Sequence, residues 1–468
     1  MNTAWQIENF LDIRDGSLHI DGVSAPHLAR EHGTPLFVFS KARIKHNIAR
    51  LQKVQDVIGC PLKVCYAAKA MSTMAILRSV RDTNCDIEVN SGGELWKALK
   101  AGFTGDQIIF NGTSKEVWEI ENAIDAGIYA IQVDSLYELS LIEQTAKRLG
   151  KRANVSLRLV PEIESATHSA LQTALLTSKF GMMPDEAFSA FRNYKDSPHL
   201  AMNGIHLHVG SQNPDPSVYT EAFIALFDGV ARILDETGIK LKHVNVGGGF
   251  PVNYLGDASQ SGQMPNSVTE MLAAHFEPTD AIRTAWTNAA QGREGLLRDL
   301  TILIEPGRSI IADTAICLTT VRNQKSRPVE QTTDNRQPTT DNWLLTDAGF
   351  NLLLSMETYK WYYHLISAER SGEPHATPYK LAGPLCDGGD VYFDIEAQNR
   401  LPDHRLLPEN VRPGEVLALL NCGAYTLAQA SQYNGRFLPA VVLIRENGEA
   451  ELIRKRDGFE DLINNEIW

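Results

Sequence analysis

The sequence has few of the features that mark secreted, membrane-embedded or nucleic-acid-binding proteins. Only 6 of its 468 residues are cysteines, with no C-x-x-C pair and no zinc-finger spacing, so nothing argues for a disulfide scaffold or structural zinc. No apolar run approaches the roughly 18–20 residues of a membrane-spanning helix, and the N-terminus lacks a signal-peptide pattern. Basic residues number 44 against 57 acidic ones, a net charge of −13 that disfavours binding to nucleic acid or anionic membranes. We therefore expect a cytoplasmic protein with buried free thiols, and neither nucleic acid nor a membrane as partner.

What is present is the composition of a folded globular chain. Hydrophobic residues make up 43% of the sequence and charged residues 22%, a balance that excludes disorder as the main state. A chain of 468 residues exceeds the size of one ordinary domain and predicts two.

A regular alternation of strand-like and helix-like segments predicts the larger domain. Eight short apolar runs are each followed by a helical pattern: Lys63–Ala67, Asp86–Val89, Gln107–Phe110, Tyr129–Val133, Val155–Val160, Gly204–Val209, His243–Val246 and Thr301–Glu305. Strands that alternate with helices pair in parallel through right-handed crossovers. Eight such units over about 250 residues are typical of a TIM-like (β/α)8 barrel, with an open doubly wound sheet as the alternative. Polar residues at the strand ends favour the barrel, whose active sites lie at the carboxyl ends of the strands.

The remainder of the chain predicts a second, β-rich domain. The strand candidates there are Ser309–Val321, Trp343–Asp347, Val416–Asn421 and Pro439–Ile444. Because long helices do not separate them, we predict an antiparallel C-terminal β domain. The strand candidates Ser17–Ile20 and Pro35–Phe39 precede the barrel, and we expect them to join this β domain. The predicted division is 1–42 for the N-terminal segment, 43–308 for the α/β barrel and 309–468 for the β domain.

Two segments have the composition of insertions. Asn323–Asn342 is polar, contains two prolines and is predicted to be mobile. Leu255–Gly295 is a long connection within the barrel, with helical character in Ser267–His275.

Lys69 follows the first barrel strand, in Val64–Ala70. It has two interpretations, a solvent-exposed lysine at a strand end or an amine that attaches covalently to an aldehyde cofactor. This stretch alone does not choose between them.

Two motifs after the seventh and eighth strands predict a phosphate site. Gly247–Gly249 offers backbone N–H groups, and Glu305–Arg308 offers a glycine for close approach and an arginine for bidentate pairing. Barrels of this kind often bind phosphate at the loops after these two strands. Glu305 also indicates the type of reaction. A carboxylate beside a pyridine ring keeps the ring nitrogen protonated and makes the ring a strong electron sink. Such a sink favours loss of CO2 and argues against a racemase.

His206 and His208 lie on one face of the sixth strand. Two histidines at this spacing can bind a metal, but the sequence offers no third ligand, so we predict no metal site. For His208, stacking of its ring on a planar cofactor is a better interpretation than metal binding. Ser211 can donate to a phosphate.

These motifs occur together with others in one order along the chain. The set is Tyr66–Lys69, His208–Ser211, Gly247–Gly249, Glu305–Arg308, Gly383–Asp390 and Gly423–Tyr425. It resembles the ornithine/diaminopimelate/arginine decarboxylases, which use pyridoxal 5'-phosphate (PLP) and have an alanine-racemase-like fold. The resemblance spans about residues 30–445 and implies a barrel, a β domain and a homodimer whose active sites lie at the subunit interface.

The resemblance also implies a role for each matching residue. Lys69 would bind the cofactor covalently, with Glu88 nearby, His208 stacked on the ring and Glu305 at the ring nitrogen. The phosphate would be held by Ser211, Gly248, Gly249, Gly307, Arg308 and Tyr425. Cys386 and Asp387 would come from the partner subunit, Cys386 to guide protonation of the carbanion and Asp387, with Tyr425, to meet the substrate.

The substrate is a small amino acid, and charge favours a diamino acid. The stretch Asp347–Met356 lacks the arginine that holds the distal carboxylate in diaminopimelate decarboxylases, and the anionic Asp387 suits a distal ammonium. The runs Val133–Glu138, Ser165–His168, Asn245–Gly249 and Gly383–Asp390 look like bacterial D-ornithine/D-lysine decarboxylases. The predicted reaction is therefore decarboxylation of D-ornithine or D-lysine to putrescine or cadaverine.

Three alternatives stay open. Ser178–Gly181 resembles diaminopimelate decarboxylases, so meso-diaminopimelate is a second substrate candidate. An open distal pocket would suit citrate-conjugated amino acids of siderophore assembly. A catalytically dead regulator is the non-enzymatic alternative, and the presence of Lys69, Glu305, Arg308, Cys386 and Tyr425 argues against it.

Overall fold

The computed structural model describes residues 5–160, 178–256, 263–328, 340–396, 398 and 400–467. The strands are β1 (Leu11–Arg14), β2 (Ser17–Ile20), β3 (Val23–Ser24), β4 (Leu36–Ser40), β5 (Leu62–Ala67), β6 (Asp86–Val89), β7 (Ile108–Phe110), β8 (Ala130–Val133), β9 (Ala153–Arg158), β10 (Leu200–His206), β11 (His243–Asn245), β12 (Thr301–Ile304), β13 (Ala315–Pro328), β14 (Thr340–Thr346), β15 (Leu365–Ser367), β16 (Thr377–Ala382), β17 (Arg405–Leu407), β18 (Val416–Leu419), β19 (Ala440–Ile444) and β20 (Ala450–Arg454). The helices are α1 (Ala25–His32), α2 (Lys41–Gln52), α3 (Met74–Arg81), α4 (Gly92–Ala101), α5 (Val117–Asp125), α6 (Leu136–Leu149), α7 (Pro184–Tyr194), α8 (Val218–Thr237), α9 (Asn266–Ala273), α10 (Pro278–Ala290), α11 (Glu294–Leu297), α12 (Arg308–Ile311), α13 (Leu354–Thr358) and α14 (Phe459–Ile463).

Strands β5 to β12 form a closed barrel, which confirms the predicted fold class. Every adjacent pair is parallel, and β12 pairs with β5 to close the ring. The strands are short and largely buried, as expected when side chains fill the barrel and helices cover it. Helix starts are set by local chemistry: Ser91 and Ser135 each accept a hydrogen bond from the backbone N–H three residues later, at α4 and α6. These helices therefore begin within three residues of a strand, which fixes the strand ends at the barrel mouth.

A second sheet is built largely from the C-terminal part of the chain. Its order is β17-β16-β14-β13-β4-β19-β20, with β18 beside β13 and β15 beside β18. Most pairs are antiparallel, as predicted, but β19 pairs with β4 and β14 with β16 in parallel, so the sheet is mixed. The N-terminal strand β4 lies between β13 and β19 and is fully buried, which explains its unbroken apolar sequence.

The structure corrects two predictions about this part of the chain. The predicted strand Ser309–Val321 begins only at Ala315, because 308–314 form α12 and a single 3-10 turn. The polar segment Asn323–Asn342 was predicted to be a mobile insertion, but its described residues extend β13 and β14 as an antiparallel ladder from Asn323 to Pro328. Cross-strand pairing, here including Lys325 opposite Trp343, outweighs a polar composition that favours loops.

The described residues divide into two compact units. One lies within Met1–Arg43, Asn253–Ala273 and Ile311–Trp468, and the other comprises Ile44–Val252 and Ala274–Ile310. The sequence prediction kept all of 43–308 in the barrel, whereas Asn253–Ala273 groups with the β-rich unit. The reason is aromatic packing within that unit: the Tyr254 ring packs edge-on against Trp361 at 5.1 Å and Tyr363 at 5.9 Å. The remaining predicted boundaries stay a proposal.

Candidate active site

The barrel mouth gathers side chains from strands that are far apart in sequence. Lys69 lies in the turn after β5, Glu88 on β6, His208 just after β10 and Glu305 just after β12. The Ala67 N–H donates to the Pro306 carbonyl at 3.1 Å, so the ends of β5 and β12 are joined directly. The structure thus places these four predicted site residues at one end of one barrel.

Lys69 and Glu88 form the first pair of the site. Lys69 Nζ lies 3.5 Å from Glu88 Oε1, with the lysine side chain 40% exposed and the glutamate fully buried. Glu88 Oε2 is buried and has no hydrogen-bond partner among the described residues. An accessible amine beside a buried carboxylate is an arrangement suited to attack on an aldehyde and to proton exchange with the amine.

Glu305 is held by two amides. Its Oε1 accepts hydrogen bonds from Asn245 Nδ2 at 2.7 Å and Asn111 Nδ2 at 3.0 Å. Its Oε2 lies 3.7 Å from His206 Nε2. Burial, and then the charge of Glu88, raise the pKa of Glu305 to about 7. The nearby Lys69 charge and the hydrogen bonds from Asn245 and Asn111 oppose this rise and favour the carboxylate, the form that a protonated pyridine nitrogen requires.

His208 is fixed in its neutral form by the glycine loop. Its Nδ1 accepts a hydrogen bond from the Gly248 N–H at 3.1 Å, so Nδ1 carries no proton. Its pKa is well below the ordinary histidine range, because the ring lies deep in the mouth and because Lys69 and Arg158 are nearby cations. A neutral, oriented imidazole offers a flat apolar face to a planar ligand.

The glycine loop, Gly247–Gly249, allows neighbouring protein groups to pack against its backbone. A Cβ at Gly247, where φ is +71°, would lie 2.3 Å from His208 Nδ1, and one at Gly248 would lie 2.4 Å from the Glu305 carbonyl oxygen. A Cβ at Gly249 would lie 2.6 Å from Asn213 Nδ2. Beside this loop, Arg308 Nε donates to Ser211 Oγ at 3.3 Å. Arg308 directly follows Gly307 and begins α12, so a largely buried cation adjoins the hydroxyl and glycines predicted to hold a phosphate.

The β-rich unit carries the other predicted residues. The loop 383–390 wraps around the Asp390 carboxylate, which accepts from the Phe350 N–H at 2.9 Å and the Leu385 N–H at 2.8 Å. Cys386 is exposed, unlike the other five cysteines, which are buried as predicted from composition. Asp387 Oδ2 accepts from the Tyr433 hydroxyl at 3.1 Å. The loop therefore displays the thiol and the carboxylate on a rigid base.

The stretch Asp347–Met356 has no arginine, but the structure places an arginine from elsewhere in the chain against the 383–390 loop. Arg436 Nη2 donates to the Pro384 carbonyl at 2.7 Å, which places a guanidinium against the same loop. A second carboxylate is also close: a Cβ at Gly389 would lie 3.2 Å from Glu357 Oε1, and Lys360 Nζ donates to Glu357 Oε2 at 2.9 Å. The loop thus adjoins charges of both signs.

Tyr425 lies in a backbone conformation that side chains rarely adopt. Its φ is +56°, and it follows Gly423, where a Cβ would lie within 1.7 Å of the Ile311 carbonyl oxygen. The Gly423–Tyr425 motif therefore has a steric cause within its own unit, and the phosphate contact of Tyr425 stays a prediction.

Several residues of the site were not identified as functional from the sequence. Asn111 and Asn245 hold Glu305, and Arg158, at the end of β9, is a buried cation whose guanidinium lies 4.3 Å from the Phe180 ring centroid. Burial lowers the pKa of Arg158, and the charges of Asp134, Glu305 and Glu88 oppose that shift. Asn111 has a sequence signal, because it is polar and directly follows the predicted strand Gln107–Phe110, but its partners depend on which strands meet in space. The run Ser165–His168 lies outside the described residues.

Comparisons with known proteins decide the family. Residues 42–312 match the pyridoxal-binding domain of pyridoxal-dependent decarboxylases. The chain belongs to this family. The decarboxylase is 33% identical to diaminopimelate decarboxylase of Methanocaldococcus jannaschii over 98% of this chain and 96% of the relative. It is also 33% identical to the Bacillus subtilis enzyme of that name, over 97% of this chain and 95% of the relative. A crystal structure of diaminopimelate decarboxylase from M. jannaschii in complex with L-lysine superposes with a TM-score of 0.83 at 32% identity, covering 98% of both chains.

PLP is the cofactor of this decarboxylase, and the barrel residues fit it. The buried, unpartnered Glu88 Oε2 and the accessible Lys69 amine suit an aldehyde, and Glu305 suits a ring nitrogen. Arg308, a largely buried cation whose Nε donates to Ser211 Oγ, suits a phosphate. When bound, PLP withdraws electrons from the substrate carbon that loses CO2.

In the part of the chain that the structure describes, no helix is long and apolar enough to span a membrane.

Proposed function

We propose that this decarboxylase acts on meso-diaminopimelate, removing one carboxylate as CO2, replacing it with a proton and releasing lysine. The observation that carries the proposal is the similarity to diaminopimelate decarboxylases at 33% identity over 98% of the chain. The L-lysine in one neighbouring structure corresponds to the expected product. Arg436, whose guanidinium bonds the 383–390 loop, is a candidate cation for a second carboxylate.

Each residue would have one task. Lys69 binds the cofactor and exchanges protons with Glu88 at Nζ. Glu305, as a carboxylate, keeps the ring nitrogen protonated, and His208 packs its neutral ring against the cofactor. Ser211, Gly248, Gly249, Gly307, Arg308 and Tyr425 bind the phosphate. Cys386 delivers a proton to the carbon that has lost CO2, and Asp387 binds the distal ammonium.

A second candidate has an observation of its own. Asp387 and Glu357 place two carboxylates at the 383–390 loop, and Lys360 already neutralises Glu357. With Glu357 paired, Asp387 is the carboxylate left to meet a distal group, and it favours D-lysine or D-ornithine, whose distal group is an ammonium without a carboxylate. The two candidates differ only in the charge that the loop must accept.

CO2 release from a panel of substrates decides between them. With meso-diaminopimelate as substrate, kcat/KM should exceed that for D-lysine, D-ornithine and their L-forms by at least about tenfold, because a charge-assisted hydrogen bond contributes about 1.5–3 kcal/mol. Arg436→Gln should lower kcat/KM on meso-diaminopimelate about 10- to 150-fold while changing D-lysine little. D-lysine serves as the internal control, since a purely structural role of Arg436 would lower kcat/KM on both substrates together. If D-lysine or D-ornithine wins, and Asp387→Ala lowers activity on the diamino acids most, the second candidate replaces the first.

We further propose a homodimer in which Cys386 and Asp387 complete the site of the partner subunit. The family resemblance supports this arrangement, as does the exposure of Cys386 on a rigid loop. Inactive Lys69→Ala and inactive Cys386→Ala chains should then complement when mixed. Activity should recover to about a quarter of wild type, because about half the dimers are hybrids with one intact site each. Absence of recovery, with subunit exchange demonstrated by differently tagged chains, would place Lys69 and Cys386 of one chain in the same site.

A further inference from the structure

Asn111 connects the two carboxylates of the barrel mouth. Its Nδ2 donates to Glu88 Oε1 at 2.7 Å and to Glu305 Oε1 at 3.0 Å. The residue is buried, and its Oδ1 has no hydrogen-bond partner among the described residues. Both N–H groups of one amide are therefore used on two acids that lie on or beside strands separated only by β5.

This geometry fixes the orientation of the amide. A flipped side chain would turn its carbonyl oxygen towards two carboxylates and lose both donors. The backbone is fixed as well, because the Asn111 N–H donates to the Val89 carbonyl at 2.8 Å. At the next residue, Gly112, φ is +98° and a Cβ would lie 2.5 Å from the Asn90 carbonyl oxygen. Asn111 therefore has little freedom to leave the two acids.

An amide has a different effect from an acid at this position. Two buried carboxylates close together favour a shared proton, so that one of them stays neutral. An amide N–H pair bonds both and has no proton to release in the physiological range. Among the described residues, the charged or titratable groups that face Glu305 and Glu88 include Lys69, Arg158, His206, Glu94 and Cys65. Arg158 and Lys69 offset the two negative charges only in part, because Lys69 is committed to the cofactor.

We propose that Asn111 is a positioning residue that keeps Glu305 ionised and aligned with the cofactor's ring nitrogen while Glu88 serves Lys69. The proposal rests on the proposed role of Glu305. It predicts that Asn111 affects how strongly the protein distinguishes a ring that has the nitrogen from one that lacks it. A residue that only packed the strand end would weaken binding of both rings equally.

The test compares binding of PLP and of its 1-deaza analogue, in which CH replaces the ring nitrogen. Apoprotein is titrated with each ligand and the dissociation constants are read from the change in absorbance. Wild-type protein should bind PLP more tightly than the analogue. Asn111→Ala and Asn111→Asp should lower the ratio of the two dissociation constants, analogue over PLP, by at least about fivefold. Asn111→Asp should have the larger effect because it adds a third acid. Asn154→Ala is the matched control: this amide, on β9, donates to the Ile128 carbonyl at 3.1 Å, away from the mouth.

The outcomes separate this inference from the role of Glu305. If Glu305→Gln removes the preference for PLP but the Asn111 variants keep it, the inference is wrong and the cofactor assignment stands. If Glu305→Gln keeps the preference, the role of Glu305 fails and the inference fails with it. Asn111→Ser retains one donor and serves as a second variant in case the others misfold. A preference for PLP over the 1-deaza analogue that lies between those of wild type and Asn111→Ala supports the inference. A wild-type preference in Asn111→Ser overturns it.

Discussion

Replacing Lys69 with alanine should abolish covalent attachment of PLP and lower turnover by at least about a thousandfold, about 4 kcal/mol in the barrier. Lys69 is the amine that the structure places at the barrel mouth, accessible and 3.5 Å from a fully buried carboxylate. Without it, the cofactor loses its covalent anchor and the substrate amine loses the group it displaces. Borohydride reduction followed by mass analysis of peptides measures the attachment, and CO2 release measures turnover.

Lys97→Ala is the matched control for this experiment. Lys97 lies on α4, and its amine donates to Ser72 Oγ at 3.2 Å and to the Ser72 carbonyl. This variant should retain the covalent cofactor and full turnover. Recovery of the reduced cofactor on a lysine other than Lys69 would show that the assignment of the amine is wrong.

Exchanging Glu305 for glutamine should leave cofactor in place but lower turnover by about two orders of magnitude or more, about 2.7 kcal/mol. Glutamine keeps the shape of the side chain, so it can still accept from Asn111 and Asn245. It cannot hold a negative charge beside the ring nitrogen, so the ring becomes a weaker electron sink. Single-turnover measurements isolate this chemical step from product release.

The control is another buried carboxylate outside the mouth. Glu119 accepts from the Gly92 and Glu116 backbone N–H groups, so Glu119→Gln removes a buried charge without touching the proposed ring partner. It should lower thermal stability more than turnover. Unchanged single-turnover rates in Glu305→Gln would mean that another group partners the ring nitrogen.

The barrel was predictable because short runs rich in apolar and β-branched residues alternate regularly with helical patterns. Asp86–Val89 was predicted to the residue, and Lys63–Ala67 differs from β5 by one residue. The same signal misled at Ser309–Val321, where an apolar run includes α12, because period alone does not separate a short buried helix from a strand. The hydrophobic pattern also failed to predict the outer part of β13, because its polar residues are held in the sheet by pairing with β14.

The site was predictable only in part, for a different reason. Lys69, His208 and Glu305 were found because each lies next to a strand end and has its own chemistry. Asn111 and Arg436 could not be assigned in this way, because the residues they bond, Glu305 and Pro384, are remote in sequence. Which strand ends and loops meet is set by barrel closure and by the 383–390 loop, and a single sequence does not encode these contacts locally.

The closure of the barrel also constrains how the protein is made. The first and last barrel strands pair although they lie about 240 residues apart in sequence. Until Thr301–Ile304 has left the ribosome, β5 has an open edge, and Glu305 and Arg308, which we propose bind the cofactor, are not in place. PLP therefore cannot guide the early folding of the nascent chain. Chains that stop before this strand should expose an apolar sheet edge, which makes them targets for chaperones or aggregation rather than partly assembled enzymes.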